Sequence, residues 1–273
     1  MDGELLPADG ELFPRERTEI APGAVHVPDW LGPGLQRELL DACRAWARPP
    51  AGLRTVRTPG GGTMTARQVC LGLHWYPYGY ARTAVDGDGA PVKPMPGRLA
   101  ELGREAVAAA YGGPSPAGTG AGTGTGTGAG TRAGSGAGSL AGSGAGAGGG
   151  GADRGAPAEP EPPYAYDIAL INFYEGDSRM GMHRDAEERS GAPVVSLSLG
   201  DTCVFRFGNA ASRGRPYQDL WLRSGDLFVF GGPARLAYHG VPKVLPGTAP
   251  PWLGLTGRLN ITLRVGGLGT APG

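Results

Sequence analysis

Lysine is almost missing from this chain. Lys93 and Lys243 are the only two, and arginine supplies the rest of the basic charge. The 25 basic residues are matched by 25 acidic ones, so the formal net charge is zero. A chain with no basic excess is not built as a strong non-specific nucleic-acid binder, although a local basic groove remains open to it. Cysteine is scarce as well. Cys43, Cys70 and Cys203 are an odd, scattered set with no C-x-x-C spacing, which reads as reduced thiols in a cytosolic protein. Long apolar runs are absent, and the first residues, "MDGELLPADGELF", are acidic with no apolar core. The expectation is a cytoplasmic, soluble monomer with no membrane partner.

Aromatic residues are missing from one long stretch. From Gly112 to about Ala156 the chain is nearly all Gly, Ala, Ser and Thr, and Arg132 is its only charge before Asp153. Such a segment cannot bury enough apolar surface to offset its chain entropy. Residues 112–163 are therefore expected to be a disordered insertion, with loose ends at 1–18 and 267–273. Roughly 220 residues remain, enough for one domain with a full core.

What is present on either side differs in kind. Before the insertion, "PGLQRELLDACRAWA" places Leu35, Leu39 and Cys43 on one helical face, and Pro49-Pro50 ends it. A second helix follows Pro96, carries Leu99, Leu102 and Ala106 on one face, and stops at Gly112-Gly113. After the insertion come short alternating runs, among them "DIALINFY", "PVVSLSLG", "CVFRFG", "DLFVFGG" and "LNITLRV". Short strands at this spacing predict a mainly β sandwich or barrel with helices packed outside.

Chemistry-bearing residues fall in this β half. His183 and Asp185 are two apart in "MGMHRDAEE", so on a strand both leave one face. His239 in "RLAYHGVPK" can join them. Two His and one carboxylate bind Fe(II) and leave positions open for a co-substrate and O2. The tail "GRLNITLR" puts Arg258, Asn260, Thr262 and Arg264 on one face and Leu259, Ile261 and Leu263 on the other. Two inward arginines call for an anion, and a dicarboxylate suits them. Asn172 and Tyr174 share a face of "INFY". His26 reads as a surface strand residue, and His74 as a packing or hydrogen-bonding neighbour of Trp75.

The series Asn172-x-Tyr174, His183-x-Asp185, "PVVSLSLGD", "FRFG", "SGDLFVFGGPARLAYHGV" and "GRLNITLR" resembles the AlkB family of nucleic-acid dealkylating dioxygenases. The resemblance covers about residues 19–111 and 164–266, and "TPGGGTM" fits the family's N-terminal region. It implies a double-stranded β-helix, or jelly roll, with an N-terminal nucleotide-recognition lid. It implies Fe(II) held by His183, Asp185 and His239, which are then the catalytic centre. It implies 2-oxoglutarate gripped by Arg258, Asn260 and Arg264, with Asn172 and Tyr174 completing the pocket. The implied reaction is oxidative demethylation of bases such as 1-methyladenine and 3-methylcytosine in DNA or RNA. It consumes O2 and 2-oxoglutarate and releases formaldehyde, succinate and CO2. A base that must leave its stack needs flat walls, and Trp75, Tyr78 and Tyr80 are the candidates. Leu73 stands where the best-known bacterial form has Trp directly after the Gly, whereas Tyr80 after Gly79 fits the family. Glu187 or Glu188 would favour a cationic base, and Arg206, Arg213 and Arg215 are candidate phosphate contacts. The rival readings are an oxygenase of this fold acting on RNA, protein or a small molecule, and a non-catalytic cupin-like module.

Overall fold

The computed structural model describes residues 15–58, 60–77, 79–112 and 164–267. The Gly/Ala/Ser-rich segment, the C-terminal tail beyond 267 and Tyr78 lie outside the described residues. Fourteen strands and two helices follow in order: β1 (Thr18–Ala21), β2 (Ala24–Val27), α1 (Pro33–Trp46), β3 (Arg54–Arg57), β4 (Thr63–Leu71), β5 (His74–Tyr76), β6 (Gly79–Ala81) and α2 (Gly97–Tyr111). Then come β7 (Ile168–Tyr174), β8 (Met180–His183), β9 (Val194–Gly200), β10 (Thr202–Phe207), β11 (Gln218–Leu222), β12 (Leu227–Phe230), β13 (His239–Leu245) and β14 (Arg258–Arg264).

Twelve of these strands form two antiparallel sheets of a jelly roll, and β5 and β6 pair only with each other. The larger runs β1-β2-β12-β9-β14-β7-β4-β3 and the smaller β11-β10-β13-β8. Alternation along the strands builds two cores. Leu259, Ile261 and Leu263 of β14 face outward with Val195 and Leu197 of β9, and α1 and α2 cover them with Leu39, Cys43, Leu99, Leu102 and Ala106. The opposite face meets the small sheet, where Phe205, Phe207, Phe228 and Phe230 pack with Tyr174 and Val241. Each such side chain stabilises the fold by about 1.5–3 kcal/mol when fully buried. Gly112 ends α2 in the left-handed conformation, φ 78°, as the pair of glycines in the sequence predicts.

Two expectations need correction. Residues 15–18 are not a loose arm. Arg15 forks onto Asp226 at 2.8 Å through both terminal nitrogens and onto Asp29 at 2.7 Å, and Thr18 opens β1. His26 is not a surface residue, because its Nε2 lies 3.0 Å from the buried Asp226 carboxylate. The small hairpin β5–β6 and the edge strand β8 are elements the sequence pattern does not announce, being three or four residues long and without alternation. Gly72 turns the chain from β4 into the hairpin at φ +78°, with the Asp167 carbonyl so close that a Cβ would lie 1.9 Å from it. Only glycine fits that approach.

Candidate active site

Register brings the first cluster together. His239 of β13 pairs directly with His183 of β8, and their rings lie 4.5 Å apart. Asp185 follows β8 by two residues and is buried. Its Oδ1 is 3.8 Å from His183 Nε2 and its Oδ2 is 3.8 Å from His239 Nε2. The potential ligand atoms of the three all lie within 4.8 Å of one another. Each histidine Nδ1 is 3.0 Å from a backbone carbonyl, Gly181 for His183 and Ala237 for His239. A carbonyl only accepts, so each Nδ1 donates to it and each Nε2 is the nitrogen turned to the shared space. Burial, aided by the neighbouring His183, lowers the His239 pKa to about 4. Burial opposes the charge on Asp185, but Arg264 and the two histidines outweigh it and hold the carboxyl at about 2. Two imidazoles, of which His239 is kept neutral, beside an ionised carboxylate suit a divalent metal. Asp185 Oδ2 is buried with no hydrogen-bond partner, an unmet demand that a cation would satisfy.

A second row crosses the large sheet. Gln68, Asn172, Asn260 and Ser198 stand directly opposite one another on β4, β7, β14 and β9. Opposed residues share a face, so the polar side of "RLNITLR" points inward as the alternation predicts. Gln68 donates to Asn172 Oδ1 at 3.0 Å, and Asn260 donates to Ser196 Oγ at 2.7 Å. Arg258 is fully buried with only neutral acceptors, Ser198 Oγ at 2.9 Å and the Asp201 and Leu222 carbonyls at 3.3 and 3.4 Å. Arg264 binds Asp185 and Glu188, each at 2.8 Å. The Nε–H groups of Arg258 and Arg264 are both buried without an acceptor. An acceptor-only dicarboxylate fits that deficit. A recess of about 40 Å³ reaches Tyr174, Asn260 and Thr262 and ends at the two histidines.

That recess opens on a cleft of about 790 Å³ lined by Met64, Trp75, Pro77, Asn172, Glu187 and Tyr238, with His183, Asp185 and Arg264 at its base. Arg179, Arg184 and Arg213 line it too and are exposed. Arg184 and Arg213 both lie against the Tyr238 ring, at 5.5 and 5.8 Å. Among the described residues none of these three arginines has a carboxylate partner. Arg206 differs, since it forks onto Asp219 with two bonds of 2.7 Å, and Arg215 lies over Tyr217.

Of the expected base contacts, Trp75 and Glu187 face the cleft. Tyr80 and Glu188 do not. The Glu188 carboxylate is fully buried between Arg235 and Arg264, and the Tyr80 hydroxyl donates to it. Burial opposes the Glu188 charge, but Arg264 and the hydrogen bonds to it keep its pKa below the usual range. Sequence reasoning missed Gln68 and Arg235. Gln68 is visible only through cross-strand register. Arg235 had a signal, four residues before His239 in "ARLAYHG". His74 stands apart from the His183–Asp185–His239 group, and its Nε2 meets Asp86.

The model for the 2OG-Fe(II) oxygenase superfamily matches residues 23–264. The chain belongs to that superfamily. Within it the chain is similar to AlkB proteins. It is 29% identical over 260 residues to the DNA N(6)-methyladenine demethylase ALKBH1D of Arabidopsis thaliana, covering 90% of this chain and 50% of that protein. It is 48% identical over 107 residues to the alpha-ketoglutarate-dependent dioxygenase AlkB homolog of Caulobacter vibrioides, covering 39% and 47%. The solved structure of OsALKBH1 superposes with a TM-score of 0.67 at 28% identity, covering 90% of this chain and all of that one. The chain spans about half the length of the curated relatives it matches. Fe(II) and 2-oxoglutarate are the superfamily's metal and co-substrate. No helix among the described residues is long and apolar enough to cross a membrane.

Proposed function

We propose that this oxygenase removes methyl groups from bases in single-stranded nucleic acid. The observation that carries the reading is the cleft itself. It joins the His183–Asp185–His239 group to an aromatic wall, a carboxylate and a rim of unpaired arginines. His183, Asp185 and His239 would hold Fe(II). Arg258, Asn260 and Arg264, with Asn172 and Tyr174, would hold 2-oxoglutarate. Together the bound metal and co-substrate supply the activation of O2, with succinate and CO2 as by-products. The chain's own residues do the rest. Trp75 gives a flat wall for a base out of its stack. Glu187 favours a cationic base such as 1-methyladenine or 3-methylcytosine. Arg179, Arg184 and Arg213 position the phosphates. A hydroxylated N-methyl group then leaves as formaldehyde.

The relatives' names support a nucleic-acid substrate, since they include demethylases of DNA and, in Schizosaccharomyces pombe, of tRNA. The relative aligned over 90% of this chain is named for N(6)-methyladenine, a neutral base that makes no use of Glu187. The test is succinate release with oligonucleotides carrying each of the three bases, in DNA and RNA, beside a control without substrate. Stimulation by a methylated oligonucleotide is expected. Turnover stimulated only by a peptide or small molecule would remove the nucleic-acid reading and leave the oxygenase.

A further inference from the structure

The β5–β6 hairpin pairs with neither large sheet, so no backbone ladder fixes it beside the cleft. Leu73, Trp75 and Tyr80 pack on Cys70, Ile168 and Leu170, the Trp75 N–H donates to Cys70 Sγ at 3.4 Å, and two polar struts add to these. In the outer one, Arg54 donates to the Trp75 carbonyl and, through Nε, to Asp86 at 2.6 Å. The inner one ends in the active site. The Tyr80 hydroxyl donates to Glu188 and accepts from Arg264 Nη1 at 3.2 Å. The same guanidinium grips Glu188 and, through Nη2, Asp185. Arg235 closes the group on the far Glu188 oxygen at 2.9 Å. The Glu188, Arg264 and Arg235 side chains are at most 8% exposed, so water does not loosen these bonds.

We propose that Tyr80 is a positioning residue that couples the co-substrate seat to the substrate wall: an anion seated on Arg264 fixes the hairpin that bears Trp75 and thereby tightens nucleic-acid binding. This rests on the reading that Arg264 holds 2-oxoglutarate and Trp75 faces the base. Arg264 Nε is buried without an acceptor. A carboxylate that meets it satisfies the guanidinium and holds it still. Tyr80, bonded to that guanidinium and to Glu188, is held with it. The ordering of the hairpin is then complete before the base arrives, which is positive linkage through lost flexibility. Linkage is reciprocal, so nucleic acid tightens 2-oxoglutarate by the same factor.

The experiment is a titration of the Mn(II)-loaded protein without O2. A 1-methyladenine single-stranded oligonucleotide is added with and without 2-oxoglutarate, to wild type and to Tyr80→Phe. In wild type the co-substrate should lower the oligonucleotide Kd about fivefold or more. It should also slow amide exchange across residues 72–81. Tyr80→Phe should reduce the ratio of the two Kd values below about twofold and abolish the exchange effect. A role in folding alone would weaken both titrations alike and leave the ratio untouched. Independent binding of the two ligands in wild type, or a full ratio in Tyr80→Phe, overturns the coupling and leaves the proposed function standing. Wild type that binds no oligonucleotide, or no 2-oxoglutarate, overturns both.

Discussion

On the proposed metal side of the site, His183 and His239 face each other because β8 and β13 are in register, and Asn172, Asn260 and Arg264 stand on neighbouring strands of one sheet. On the proposed substrate side, Trp75 comes from a hairpin outside both large sheets, Glu187 from the segment after β8, and Arg213 from the loop between β10 and β11. The first side is mostly buried, with His183 and Asn260 half-buried, and its strand residues are fixed by backbone ladders. The second runs from half-buried Trp75 and Glu187 to exposed Arg213 and is held by side chains. Rigid strands set reacting groups with the accuracy that chemistry needs, whereas loops and hairpins can change partner without disturbing it. Substitutions should therefore cost most where register fixes the residue and least at the arginine rim.

Removing a ligand should have the largest effect. His239→Ala or Asp185→Ala is expected to weaken Mn(II) binding by more than about a hundredfold, since even indirect partners of metal ligands are worth about 10–100-fold. Turnover should vanish while far-ultraviolet circular dichroism keeps the β signature. An active His239→Ala variant would break the metal half of the comparison. Next comes the co-substrate. Arg258→Lys keeps the charge but loses the fork, and should cost about 1.5–3 kcal/mol, or roughly ten- to a hundredfold in 2-oxoglutarate affinity. If it lost oligonucleotide binding instead, the polar face of β14 would belong to the substrate.

Trp75→Ala should cost about 1–3 kcal/mol in kcat/KM for the oligonucleotide, the value of one base–aromatic stack. Its succinate release without substrate should stay near the wild-type rate, which separates the two sides. Protonation sharpens the contrast. The folded His239 pKa of about 4 lies below the ordinary 6.5, so below pH 6.5 the unfolded chain takes up a proton that the folded one refuses. Stability of the metal-free protein should fall as pH drops from 6.5 toward 4, and denaturant midpoints for His239→Gln should show a shallower slope. The smallest effect belongs to the rim. Arg213→Gln should lower the salt slope of oligonucleotide binding by about 1, as for one lost phosphate contact. An unchanged slope would take Arg213 off the binding track.

The same contrast governs what could be read from the sequence. Local alternation exposed the inward face of Arg258, Asn260, Thr262 and Arg264, and the two-residue spacing exposed His183 and Asp185. Both signals live within a few residues. Glu188 carries the opposite lesson. Beside His183 and Asp185 in "HRDAEE" it looks like a twin of Glu187, yet Arg235 and Arg264, 47 and 76 residues away, draw it into the interior. Tyr80 meets Glu188 across 108 residues. Gln68 joins the polar row only because β4 pairs with β7 across the insertion. No periodicity reports such meetings, because pairing of strands distant in the chain sets them.

Mass spectrometry of the nucleic acid tests the whole account most directly. A methylated single-stranded oligonucleotide is incubated with the Fe(II)-loaded protein, 2-oxoglutarate and O2. The account expects the product to lack one methyl group, with one formaldehyde formed for each methyl group lost and at least as much succinate, and expects no change with His239→Ala. Oligonucleotides that keep every methyl group while the protein consumes 2-oxoglutarate at full rate would contradict it.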